Sequence, residues 1–211
     1  KYDGGIMTPD KFLPLIAQFN LSARFDLQVL ESLLKWLATH PCDKKGPRFS
    51  VNLMPLTLLQ KNIAGRIIRL FKRYHISPQA VILEITEEQA FSNAESSMYN
   101  IEQLHKFGFR IAIDDFGTGL SNLKRFYEIN PDSIKVDSQF TGDIFGTAGK
   151  IVRIIFDLAR YNRIPVIAEG VESEDVAREL IKLGCVQAQG YLYQKPMPFS
   201  AWDKSGKLVK E

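Results

Sequence analysis

The chain has 211 residues, 45% of them hydrophobic and 24% charged, enough for one globular domain with a sizeable core. Its net charge of +3 is spread along the sequence, so composition gives no ground for a nucleic-acid polymer as partner. No apolar run approaches the roughly 20 residues that cross a bilayer, and the two cysteines, Cys42 and Cys185, lie too far apart in sequence for CxxC chemistry, so a reducing cytoplasm fits best.

In chain order, Tyr2-Asp3-Gly4-Gly5 reads as a turn with no element before it, and the first residue is not methionine. The expectation is a fragment of a longer protein. Thr8-Pro9-Asp10 then offers an N-cap, a proline at the first helical position and an acidic first turn, and Leu27, Leu30, Leu34 and Leu37 make an apolar helical stripe. Five apolar runs rich in Val and Ile follow, at 49–53, 81–86, 110–114, 133–137 and 165–169, with a shorter one at 186–190. Their unbroken apolarity suits strands covered on both faces. Between them lie helical patterns with recognisable ends, one closing at Gly108 and another opening at Ser173-Glu174-Asp175 and closing at Gly184. Such alternation predicts a parallel sheet with helical crossovers, as an open doubly wound sheet or a closed barrel.

Polar residues choose between these. Asn52, Glu84, Asp114, Lys135, Glu169 and Gln189 each sit in or at the end of a different predicted strand. An open sheet gathers ligand groups from a few strands at one switch point, whereas a barrel surrounds one mouth with the C-terminal ends of all its strands. The reading is therefore an α/β fold, a TIM-like (β/α)8 barrel with its first strand missing from the chain as given. With Asp115 beside Asp114, four carboxylates in one mouth need neutralising charge. Oxygen donors without thiolate or imidazole favour Mg²⁺ or Mn²⁺ over zinc, and His40, His75 and His105 fall outside the strand ends. The adjacent pair Asp114 and Asp115, at the end of an apolar run and before Gly117 and Gly119, is the sharpest signal. At a strand end both carboxylates can reach one cluster, and two ions about 3.5 to 4 Å apart are the usual apparatus of phosphodiester hydrolysis. Lys135 could then orient the attacking water. The alternative is that the two aspartates merely cap a turn.

The segments VNL at 51–53, LEITE at 83–87, DDFGTG at 114–119, IKVD at 134–137, AEGVE at 168–172 and QGYLYQKPMP at 189–198 resemble the EAL-domain family of bacterial cyclic di-GMP phosphodiesterases. The resemblance covers essentially residues 1–211 and implies one EAL-type barrel domain, N-terminally truncated, that hydrolyses cyclic di-GMP to linear pGpG with two Mg²⁺ or Mn²⁺ ions. It implies Asn52, Glu84 and Asp114 as ligands of one ion, and Asp114, Asp115 and Glu169 as ligands of the other. Lys135 would sit on the catalytic water, Glu172 and Gln189 would support the site and contact the substrate, and Glu87 would anchor the loop after the aspartate pair. For Glu172, Gln189 and Glu87 the alternatives are a helix start, a backbone-bonded turn residue and a solvated loop acid.

The glutamate of the motif that names the family would lie before Lys1, and activity depends on it. The alternative function is a catalytically inactive receptor that binds cyclic di-GMP and signals through a partner or attached domain. The resemblance further implies a homodimer formed through the DDFGTG loop and the following helix, sensor or signalling domains upstream, and a cytoplasmic location.

Overall fold

The computed structural model describes residues 7–40, 48–91, 95–118 and 123–197. The expected opening turn, Cys42, the loop from Gly119 to Asn122 and the end of the QGYLYQKPMP segment lie outside them. The chain divides into two compact units, Lys1–Lys44 with Arg48–Arg110, and Lys45–Pro47 with Ile111–Glu211.

In the first unit, α1 (Pro9–Gln18) begins at the expected proline, with Thr8 in extended conformation but making no side-chain cap bond. Helix α2 (Ser22–Thr39) buries Leu30, Leu33, Leu34 and Leu37, while Leu27 is only half-buried. Strand β1 (Phe49–Asn52) follows. The segment after it is tied to α2 by the buried Asp26, whose carboxylate accepts from the Met54 N–H at 2.8 Å and the Thr57 hydroxyl at 2.5 Å. Burial pushes the Asp26 pKa up, against the two hydrogen bonds that lower it. Helix α3 (Ile63–Tyr74) buries Ile63, Ala64, Ile67, Leu70 and Phe71 on one face, the i, i+1, i+4, i+7, i+8 spacing of a core-facing helix. Strand β2 (Val81–Thr86) pairs in parallel with β1, from Phe49 opposite Val81 to Asn52 opposite Glu84. A short helix α4 (Glu87–Phe91) leaves β2 directly, and α5 (Glu95–Phe107) ends before Gly108, whose φ of +103° matches the expected glycine stop.

In the second unit, β3 (Arg110–Phe116, of which Arg110 belongs to the first unit) and β4 (Ser133–Val136) are joined through α6 (Leu123–Ile129). Helices α7 (Ser138–Gly142) and α8 (Ala148–Asn162) lead to β5 (Val166–Ala168), and α9 (Glu174–Lys182) leads to the two-residue β6 (Gln187–Ala188). Neighbouring strands from β3 to β6 pair in parallel. Every residue of β4 is buried, Ile134 and Val136 together with the polar Ser133 and Lys135. Ser173 caps α9 by accepting from the Val176 N–H at 3.4 Å. In both units, parallel strands separated by helices give the α/β pattern that the sequence predicts.

Candidate active site

The aspartate pair sits inside β3, not at its end, because the strand continues to Phe116. Successive residues of a regular strand point to opposite faces. Here the register of β3 on β4 slips between Ile113 and Phe116, and Asp115 adopts a left-handed φ of +54°. Asp is one of the few residues with a side chain that tolerates this region. The local irregularity replaces alternation, and one oxygen each of Asp114, Asp115 and Glu169 falls within 4.8 Å of the others. The Asp115 N–H donates back to Asp114 Oδ1 at 3.1 Å.

Lys135 supplies the positive charge of this cluster. Its Nζ lies 3.0 Å from Asp114 Oδ1 and 2.6 Å from Glu169 Oε1, and the residue is only 3% exposed. A lysine so buried keeps its charge only with such partners. Glu169 follows β5 directly and is fixed on several sides. Its N–H donates to the Val136 carbonyl at 3.1 Å, its carbonyl accepts from the Thr141 hydroxyl, and its Oε1 accepts from Gln189 Nε2 at 2.6 Å. The Gln189 N–H donates to the Ala168 carbonyl at 2.8 Å, so the end of β6 delivers this amide to the end of β5. Gly170, beside Glu169, has φ +62°, and a Cβ there would stand 2.4 Å from Ser138 Cβ. Only glycine lets the chain turn away at that point.

The Asp115 carboxyl is pushed up to about 6, first by desolvation, then by its hydrogen bond to Asp137 and the charge of Asp114, with Lys135 acting in the other direction. Sequence reasoning passed over Asp137. It follows β4, accepts from the Gln139 N–H at 2.6 Å and caps α7. The available signal was its place two residues beyond Lys135 in Ile134-Lys135-Val136-Asp137, the spacing that returns a strand to the same face.

Asn52 and Glu84 face each other across the parallel pair β1 and β2 in the first unit, with the Leu53 N–H donating to the Glu84 carbonyl at 2.9 Å. Glu87 opens α4 and is 2% exposed, which rules out a solvated loop acid. Glu172 is exposed in the segment before α9 and stands outside the carboxylate group. Asp114, Asp115 and Glu169 are hard oxygen donors that could hold a divalent ion, and they fit Mg²⁺ or Mn²⁺ better than a soft metal.

This strand-end chemistry on parallel α/β units is that of TIM-like barrels, and comparison with known proteins gives it a family. The EAL domain model matches residues 1–196, and the chain belongs to the EAL-domain family. It is 74% identical over 202 residues to the probable cyclic di-GMP phosphodiesterase PdeA of Escherichia coli K12, covering 95% of this chain and 28% of PdeA. Against the probable cyclic di-GMP phosphodiesterase PdeI of the same strain it is 60% identical over 210 residues, covering 98% of this chain and 27% of PdeI. The chain thus spans little more than a quarter of either relative. Among solved structures, the PaMucR phosphodiesterase in complex with c-di-GMP superposes with a TM-score of 0.87 at 31% identity, covering 93% of this chain and 87% of that one. The fold is therefore the TIM-like α/β fold of EAL domains.

Proposed function

We propose that this chain, as one EAL-type domain over residues 1–211, is the hydrolytic part of a metal-dependent phosphodiesterase that opens cyclic di-GMP to linear pGpG. The observation that carries the proposal is the grouping of Asp114, Asp115 and Glu169 around the buried Lys135 ammonium. PdeA and PdeI bear the name of this activity, and PaMucR was solved with this ligand.

Two Mg²⁺ or Mn²⁺ ions, when bound, acidify the attacking water and stabilise charge on the phosphate. Asp114, Asp115 and Glu169 would hold them. The ligand roles of Asn52 and Glu84 are proposed on the family resemblance. Lys135 holds Asp114 and Glu169 through its Nζ, and we assign it to orienting the water oxygen and offsetting phosphate charge. Gln189 fixes the Glu169 oxygen that faces Lys135, so its amide supports the same group. Glu87 is assigned as an anchoring acid because it is buried, and Glu172 as a substrate-side carboxylate because it stays exposed.

A homodimer through the loop after the aspartate pair and α6 is part of the proposal, supported by Tyr127 of α6, which is 57% exposed. Attached sensor domains fit the share of PdeA and PdeI that this chain leaves uncovered. No helix among the described residues is long and apolar enough to cross a membrane, and we place the domain in the cytoplasm. Incubating the full-length protein with cyclic di-GMP and Mg²⁺ or Mn²⁺, then separating the nucleotides, tests the reading. Formation of pGpG supports it; binding without turnover makes the protein a receptor instead.

A further inference from the structure

The first unit carries a second charged feature that uses none of the carboxylate-cluster residues. A groove of about 460 Å³ between α2 and α3 is lined by Arg24, Arg66, Arg69 and Arg73. Three of these lie on α3 at i, i+3 and i+7, one stripe of a helix that also carries Lys72 and has no acidic residue. Solvated basic faces ordinarily intersperse acids, and α9 shows this. There Arg178 pairs with Glu174 at 3.4 Å and with Asp175, and Lys182 pairs with Glu179 at 3.0 Å. Among the described residues, Arg24, Arg66 and Arg69 have no ion pair.

The one carboxylate lining the groove is Glu31. It accepts from the Tyr74 hydroxyl at 2.8 Å and lies 3.9 Å from Arg73 and 3.7 Å from Lys35, so it is engaged at the Arg73 end. Arg24 lines the same groove from α2, opposite the arginine stripe of α3. Leu27 and Leu70 add an apolar wall. The groove therefore combines four arginines, an apolar side, the Gln28 amide and one carboxylate already engaged by Tyr74.

We infer that the α2–α3 groove binds a phosphorylated small molecule, its phosphate held by Arg24, Arg66 and Arg69 and a hydroxyl or amine of its body donating to Glu31. Guanidinium forks match phosphate oxygens bidentately, and the volume falls in the range of about 300 to 1,000 Å³ used by small-molecule sites. An acidic peptide laid along the groove would meet the fixed Glu31 carboxylate, and that favours the small ligand. The inference does not depend on the phosphodiesterase reading.

The test is calorimetric titration of the purified chain with inorganic pyrophosphate, in chelator-treated buffer and about 0.15 M salt, where the Debye length is about 8 Å. Without divalent ions the carboxylate cluster repels the probe. The expected result is saturable binding of one pyrophosphate per chain, weakened about tenfold or more in the Arg66→Ala/Arg69→Ala variant and unchanged in Arg178→Ala. Alanine on an exposed helix face preserves α3, which circular dichroism verifies. No saturable binding, or binding undiminished in the double variant, overturns the proposal. So does a hexaglutamate peptide binding as tightly as pyrophosphate, because the groove would then be a docking surface for acidic chain.

Discussion

The carboxylate cluster and the arginine groove each concentrate one sign of charge, but they are built in opposite ways. In the cluster, Lys135 stands within 3.0 Å of Asp114 and 2.6 Å of Glu169 and is almost fully buried, so the protein itself supplies one counter-charge to the three carboxylates. In the groove, Arg24, Arg66 and Arg69 are exposed and make no ion pair among the described residues, so solvent screens their charge. Asp26 shows a third solution, a buried carboxylate satisfied by an N–H and a hydroxyl with no cation among the groups that shift it. Burial dictates which solution is possible. An ion removed from water needs a counter-charge or several donors, whereas an exposed one needs neither.

Breaking the first arrangement has the largest expected effect. Lys135→Met leaves Asp114 and Glu169 facing each other without their cation and should lower unfolding stability by about 3–5 kcal/mol. Urea denaturation measures this. A loss below about 1 kcal/mol would mean that the pairs behave as exposed ones do.

Asp26 sharpens the contrast at a smaller scale. Asp26→Ala strands the Met54 N–H and the Thr57 hydroxyl and should cost about 1–3 kcal/mol, while Asp26→Asn keeps an acceptor and should cost less. The pH dependence follows from the sign of the shift. The Asp26 pKa is raised in the folded state, so the fold takes up this proton before the unfolded chain does. Its ionised form weakens the fold above the raised pKa, and stability from this group grows as pH falls through that pKa toward the unfolded value of about 3.9. Thermal melts of the wild type and Asp26→Asn should therefore draw apart as pH is lowered, the wild type gaining. Melts that stay parallel would contradict the assignment.

The groove should respond least, and in the opposite direction. Arg66→Ala/Arg69→Ala removes like charges at i, i+3 and i, i+4 on α3 and should stabilise the fold by about 0.2–0.5 kcal/mol per repulsive pair, less so at high salt. Destabilisation by the double variant would show that these arginines serve packing instead.

How much of this was legible in the sequence depended on range. Strands β2, β3 and β4 stood out as apolar runs because they are largely buried, whereas β1 buries only Val51, and the end of α5 at Gly108 and the start of α9 at Ser173 were set by local chemistry. The grouping of Asp114 with Asp115 was expected from a strand end. It arises instead from a register slip and a left-handed residue inside β3, and strand pairing, not composition, decides that. The burial of Glu87 was hidden because a five-residue helix, α4, replaces the expected loop, and the link from Asp137 to Asp115 joins the residue after β4 to one inside β3. The arginine stripe of α3 can be read from its spacing, but Arg24 joins it only through the packing of α2 against α3.

The central claim is hydrolysis by the carboxylate cluster, and its most direct measurement compares cyclic di-GMP turnover by the full-length protein and by Asp114→Asn, with Mg²⁺ or Mn²⁺ supplied. Linear pGpG should appear with the wild type and fall by more than about a hundredfold in a variant that still folds. Equal turnover by both proteins would remove Asp114 from the site, and an inert but ligand-binding wild type would contradict the hydrolase.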